Sequence, residues 1–110
     1  MARALVVFVT CPNRRHAQRL ARMLVRQRLA ACVNIVPSVQ SFFWWQGRVN
    51  RAQEALLIVK TTATRFEALR RSICAQHPYD VPEVIAVPIQ KGHRPYLTWI
   101  EESVRGRARI

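Results

Sequence analysis

Glycine occurs only three times in these 110 residues, so the chain has no glycine-rich loop to cradle a phosphate. No apolar run approaches the ~20 residues that a membrane-spanning helix needs, and a membrane partner is not expected. The three cysteines are an odd, widely spaced set without a C-x-x-C pair. They do not make a disulfide framework, and free thiols in a reducing cytoplasm are expected. The opening residues Met1-Ala2-Arg3-Ala4-Leu5 lead straight into an apolar run with no cleavage-site pattern, so no secretory signal is expected. No serine or cysteine has a base and an orienting group arranged around it, which argues against nucleophilic catalysis. Acidic side chains are also scarce, six against 18 basic, for a formal charge of +12. Only two of the basic residues are lysine. Such a balance suits either a polyanionic partner or a solvent face written in arginine.

What the chain does have is one dominant stretch, residues 28–47. Between 31 and 45 it is rich in β-branched and aromatic residues and contains no glycine, which predicts extended chain. A typical strand has about 5–6 residues, and this one is far longer. Pro37 cannot donate to a ladder, so it marks a bulge, a bend or an outer edge. Gln46-Gly47 supplies a turn, and the chain runs back antiparallel from Val49. Four consecutive aromatics, Phe42, Phe43, Trp44 and Trp45, fall near the tip of this hairpin. A lone monomer would leave them in water, so the stretch predicts self-association through them.

The rest of the chain reads as one domain over 1–110, with 105–110 a frayed basic tail. Residues 4–10 are a continuous apolar run and residues 54–61 a second buried strand, and both end in threonine. Pro12 or Asn13 opens a helix with Ala17, Leu20, Ala21 and Leu24 on one face and Arg15, Arg19, Arg22 and Arg26 on the other. The arginine stripe lacks the tryptophan and leucine of a membrane-surface helix, and a solvated face is the preferred reading. Thr64-Arg65-Phe66-Glu67 has capping-box spacing, followed by a helix with Phe66, Leu69 and Ile73 inward that stops at His77-Pro78. A last strand over 82–89 carries Pro88, which predicts an edge, and a short helix spans 96–104 after Pro95. The order strand, helix, strand, strand, helix, strand has one economical solution. It is an α+β, ferredoxin-like βαββαβ sandwich with a long hairpin between its second and third strands and a short C-terminal helix. The long strand should lie at one sheet edge and the proline-bearing strand at the other.

Several motifs, in order, resemble the CutA family of divalent-cation tolerance proteins. They are Arg28 through Pro37, Trp45-Gln46-Gly47, Lys60-Thr61, His77-Pro78-Tyr79-Asp80-Val81-Pro82-Glu83 and Tyr96-Leu97-Thr98-Trp99-Ile100. The resemblance implies a non-enzymatic, cytoplasmic homotrimer similar in architecture to PII signalling proteins and linked to copper or other divalent metal ions. Members of that family usually carry acidic residues on the first helix, where this chain has arginines. Bacterial members have a proposed copper site with a cysteine before the threonine ending the first strand and a His-His pair before proline. Here those positions are Val9, Gln76 and His77, so only His77 matches.

The candidate metal ligands are therefore His77, with Cys11 or Cys74 as the thiolate. Cys74 lies three residues before His77, a spacing that shares a helix face. Cys11, at the end of the first strand, is expected to replace the thiolate missing at Val9. His77 also suits a helix C-cap, and two ligands are too few to close a site. Cys32 is expected mid-strand as a buried small hydrophobe, and His16 and His93 are expected to be exposed. Lys60, Asp80 and Glu83 belong to matched motifs and are expected to line a cleft between subunits, although each singly also fits an ordinary ion pair or cap. The leading reading is a non-enzymatic trimer that binds a metal ion or small anion at such clefts and nucleic acid only non-specifically. The alternative is an RNA-binding ferredoxin-like domain that uses the basic surface. RNA-recognition domains of this fold stack bases on aromatics of the middle strands, where this chain has Leu56-Leu57-Ile58-Val59. An acylphosphatase-like hydrolase of the same fold lacks its anion-cradling loop.

Overall fold

In the computed structural model, which describes residues 3–105, the first apolar run forms β1 (Ala4–Cys11). Its side chains alternate between half-buried and buried, so Leu5, Val7, Val9 and Cys11 enter the core. α1 (Arg14–Arg26) follows, and Asn13 caps it by accepting the backbone N–H of His16 at 3.0 Å. Ala17, Leu20 and Leu24 are buried, while the arginine face is exposed. The helix unwinds through Arg28, a non-glycine residue at φ 61° whose guanidinium donates to the Ser103 carbonyl at 2.9 Å.

β2 (Cys32–Trp45) and β3 (Arg48–Thr62) are 14 and 15 residues long. Gln46 and Gly47 join them with φ of 53° and 75°, the positive values that a two-residue type I′ turn needs at both central positions. The apolar run at 54–61 and the returning arm of the hairpin are thus one continuous strand. Pairing runs from Cys32↔Lys60 to Val36↔Leu56, slips by one residue, and resumes from Val39↔Glu54 to Trp45↔Arg48. Pro37 lies in that slip, so the missing N–H falls where the ladder is interrupted anyway. β1 pairs with β3 only from Ala55 to Thr62. The hairpin beyond it overhangs the sheet and stretches the molecule to 48 × 30 × 22 Å.

α2 (Ala63–Gln76) starts one residue after β3 ends, and this displaces the expected capping box. Thr62 is the N-cap and makes no side-chain cap bond, while Glu67 turns to Arg70 at 2.5 Å. The free N–H of Ala63 donates instead to the Arg3 carbonyl at 2.8 Å. Leu69 and Ile73 are buried and Phe66 packs against the core, as expected. β4 (Ile85–Pro88) is half the length predicted from the sequence. Its ladder with β1 starts only at Phe8↔Ile85, because Pro82 to Val84 belong to the crossing from α2. α3 (Arg94–Ser103) begins before Pro95 rather than after it, since proline in a first turn loses only an N–H that has no helical partner. Of the expected basic tail, residues 106–110 lie outside the described residues.

The sheet order is β2-β3-β1-β4, with the long strand and the proline-bearing strand at the two edges as expected. One face carries α1 and α2 over Val7, Val9, Leu57 and Val59. The other meets only α3, whose Ile100 is buried. Ile73→Ala should cost about 2–5 kcal/mol, the range for emptying a large aliphatic site in a closed core. Urea unfolding followed by circular dichroism would measure the loss, and a change below about 1 kcal/mol would contradict the packing described.

Candidate functional site

His77 is the most informative of the expected ligands because both its ring nitrogens are engaged. Nε2 lies 2.7 Å from the Thr10 carbonyl, which can only accept, so Nε2 carries the hydrogen. Nδ1 accepts the backbone N–H of Tyr79 at 3.1 Å. The imidazole is buried and packs against the Tyr79 ring at 4.7 Å between centroids. Tyr79 then donates its hydroxyl to Glu54 Oε2 at 2.7 Å. Glu83 accepts from the Thr10 hydroxyl at 3.4 Å. The His77-Pro78-Tyr79 motif therefore works as a latch that ties the exit of α2 to the end of β1 and the middle of β3.

The thiols fit a metal no better. Cys11 is fully buried, and burial pushes its thiol up to about 11, with a smaller contribution from the Glu54 charge. A thiol held protonated is a poor ligand. Cys74 is exposed on α2. Among the described residues no three histidine, cysteine or acidic side chains come together as a metal centre, and the expected pairing of His77 with Cys11 or Cys74 supplies two ligands only. Cys32 also departs from expectation. It opens β2 instead of lying mid-strand and is only half-buried, with its sulfur 3.9 Å from Asn34 Oδ1. The period of two explains this: Val33 packs on the core, so Cys32 turns to the opposite face. Tyr96 of α3 meets it there, and burial raises the Tyr96 phenol above its ordinary value, with Cys32 adding to the shift. His93 is exposed as expected, whereas His16 is half-buried beside Asn13.

Lys60 is half-buried on that same opposite face and donates to Asn34 Oδ1. Asp80 and Glu83 are exposed on the crossing from α2 to β4. None of the three forms an ion pair among the described residues, where Arg70–Glu67 is the ion pair present. Phe42, Phe43, Trp44 and Trp45 are 64%, 40%, 76% and 60% exposed, so nothing among the described residues covers the hairpin tip. Sequence reasoning missed a second apolar surface. Strand pairing puts Phe8 beside Ile58 and Ile85, Val6 beside Val87, and Val36 beside Leu56, all on the sheet face opposite α1 and α2. Val36, Ile85 and Val87 are exposed there. The alternation of β1 carries the signal, since Val6 and Phe8 are apolar on the face that alternation assigns away from the core.

These features define a ferredoxin-like domain with an overhanging aromatic hairpin and an apolar open sheet face, held together by polar latches. A family profile described as CutA1 divalent ion tolerance protein matches residues 5–103. The chain is 50% identical over 98 residues to the divalent-cation tolerance protein CutA of Thermus thermophilus, covering 89% of this chain and 95% of that protein. It is 48% identical over 102 residues to the chloroplastic Protein CutA 1 of Oryza sativa subsp. japonica, covering 93% of this chain and 58% of the rice protein's length. The crystal structure of CutA from Xylella fastidiosa superposes with a TM-score of 0.91 at 41% identity, covering 94% of this chain and 99% of that one. The chain belongs to the CutA1 divalent-ion tolerance family.

The raised Cys11 and Tyr79 groups set an alkaline limit on stability. Each keeps its proton in the fold at a pH where the unfolded chain has lost it, so the folded state binds more protons and stability falls as pH rises. For Cys11 the loss begins near the ordinary thiol value of 9.0 and runs to about 11. Burial, followed by the Glu54 hydrogen bond, raises the Tyr79 phenol, whose contribution declines from about its ordinary 10.0 upward. Urea midpoints should be flat from pH 7 to about 8.5 and drop above it, and Cys11→Ala should remove the earlier part of the drop. Iodoacetamide at pH 8 should label Cys74 rapidly and leave Cys11 unmodified until the chain unfolds.

Proposed function

We propose that this protein is a non-enzymatic, cytoplasmic homotrimer in divalent-cation tolerance that holds a metal ion or small anion in clefts between its subunits. The observation that carries the reading is the pair of uncovered apolar surfaces, the aromatic hairpin tip and the open sheet face, on one small domain. Exposed apolar area on this scale is the mark of an interface. Two free sheet edges support it as well, because the overhanging part of β3 has β2 on one side and no strand on the other. Membership of a tolerance family supports the link to divalent ions, with copper the first ion to test. A binding site between subunits would let each chain supply part of a ligand set. Lys60, Asp80 and Glu83 are the side chains assigned to that cleft. The absence of any nucleophile, base and orienter grouping in the sequence fits a binding protein better than a hydrolase. The RNA-binding alternative gains nothing, because the central strands carry a single aromatic, the half-buried Phe8 between Ile58 and Ile85, and the other strand aromatics lie on the overhang.

Light scattering at micromolar concentration should give three times the monomer mass, and a stable monomer would end the trimer reading. Trp45→Ala should weaken assembly by ~2 kcal/mol or more, as buried aromatic anchors do, read as a shift in the dissociation midpoint on dilution. Copper titration of the untagged protein by calorimetry should give a stoichiometry that Asp80→Asn with Glu83→Gln lowers. His77→Ala should chiefly reduce stability. Loss of copper binding in His77→Ala with an unchanged unfolding midpoint would return the site to His77.

A further inference from the structure

α1 presents a surface that neither the core nor the proposed assembly uses. Arg15, Arg19, Arg22 and Arg26 are all exposed, and at 100° per residue they fall within an arc of about 60° along roughly 16 Å of helix. With Gln18 and Met23 they border an open groove of about 450 Å³. The helix has no acidic residue in its first turn or anywhere else, and none of the four arginines has an ion-pair partner among the described residues. The spacings i, i+3 and i, i+4 set like charges against each other, and Arg15 also faces the positive end of the helix dipole. Both effects oppose folding, so the stripe is not there for stability. It lies on the helix layer, on the side of the sheet away from the open apolar face. Assembly through the hairpin and that face leaves the stripe pointing outward.

We propose that this stripe is a docking surface for the phosphate backbone of double-stranded nucleic acid, bound without sequence preference. The arginine chemistry favours this partner: a planar guanidinium pairs bidentately with phosphate, and only two of the 18 basic residues are lysine. A straight row of one charge complements a polymer that repeats its own charge at regular intervals. A folded protein partner would call for an exposed aromatic or aliphatic anchor, and Met23, the apolar side chain bordering the stripe, is half-buried and packs against the core. The same lack argues against insertion into a lipid surface, because the apolar residues Ala17, Leu20 and Leu24 are turned into the core.

Fluorescence anisotropy with a labelled 20-base-pair duplex tests the assignment on the full-length protein. Neutralising about four phosphates predicts binding on the order of a hundredfold weaker at 200 mM than at 50 mM salt. The Arg15→Gln, Arg19→Gln, Arg22→Gln, Arg26→Gln variant should bind at least about tenfold more weakly at 50 mM salt. Its slope of log affinity against log salt should be shallower by about 3.6. The Arg19→Gln, Arg22→Gln pair should lose about half of that slope, which keeps the test usable if the fourfold variant folds poorly. An equal charge loss elsewhere, through Arg71→Gln, Lys91→Gln, Arg94→Gln and Arg105→Gln, should leave affinity within about threefold of the parent. The proposal is overturned if this second variant loses as much as the stripe variant, since bulk charge would then explain the binding. It is equally overturned if two unrelated duplex sequences differ by more than about tenfold, or if the parent ignores duplex. Capture by phosphatidylserine–phosphatidylcholine vesicles without duplex binding would assign the stripe to membranes instead.

Discussion

β3 pairs on both of its sides, and the molecule depends on that double pairing. From Leu56 to Lys60 it lies between β1 and β2, where Leu57 and Val59 are fully buried. From Arg48 to Glu54 it has β2 alone. One strand is thus a core element at one end and a two-stranded ribbon at the other. The helices, the latch and the edges take their positions from the first half. The exposed aromatics take theirs from the second. Isolated two-stranded ribbons are marginal in water, so the overhang is the part of the fold with the least support from the rest of the chain.

The latch at His77 shows how a residue type suited to one job can be held to another. A neutral imidazole is a common metal ligand, but here a carbonyl and an amide occupy both nitrogens. The same bonds satisfy groups at the end of β1 and just past α2 that would otherwise lack partners. Cys11 is subject to a similar constraint, because the burial that makes it a good core residue holds its proton in place. Geometry of this kind commits both groups to holding the fold together.

Local patterns made most of the architecture legible. The Gln46-Gly47 turn, the Pro37 irregularity, the inward face of α1 and the two edge strands all follow from short-range chemistry, and the structure has each of them. The misreadings came from places where tertiary contacts overrule local preference. Thr64 looked like a cap because nothing in the sequence says that the Arg3 carbonyl takes the Ala63 N–H. β4 looked longer because Pro82 to Val84 of the crossing and Ile89 adjoin its apolar residues without a glycine or turn signal to separate them. Cys32 looked buried because its neighbours are apolar, and only the parity of its strand shows which face it occupies. The ligand set was the least legible. Spacing along α2 put Cys74 and His77 on a shared face, but it could not show that the ring would turn toward Thr10.

The position of β1 in the sheet bears on how the chain acquires its shape. β1 lies between β3 and β4, yet its partners come about 50 and 80 residues later in the sequence. The β2–β3 hairpin, by contrast, closes around a two-residue turn and can form locally. During synthesis the central strand of the finished sheet must therefore wait with both edges unpaired while the peripheral ribbon is already complete. Long-range pairing of this sort slows folding and exposes strand edges meanwhile. The innermost strand is the first to be made and the last to be enclosed.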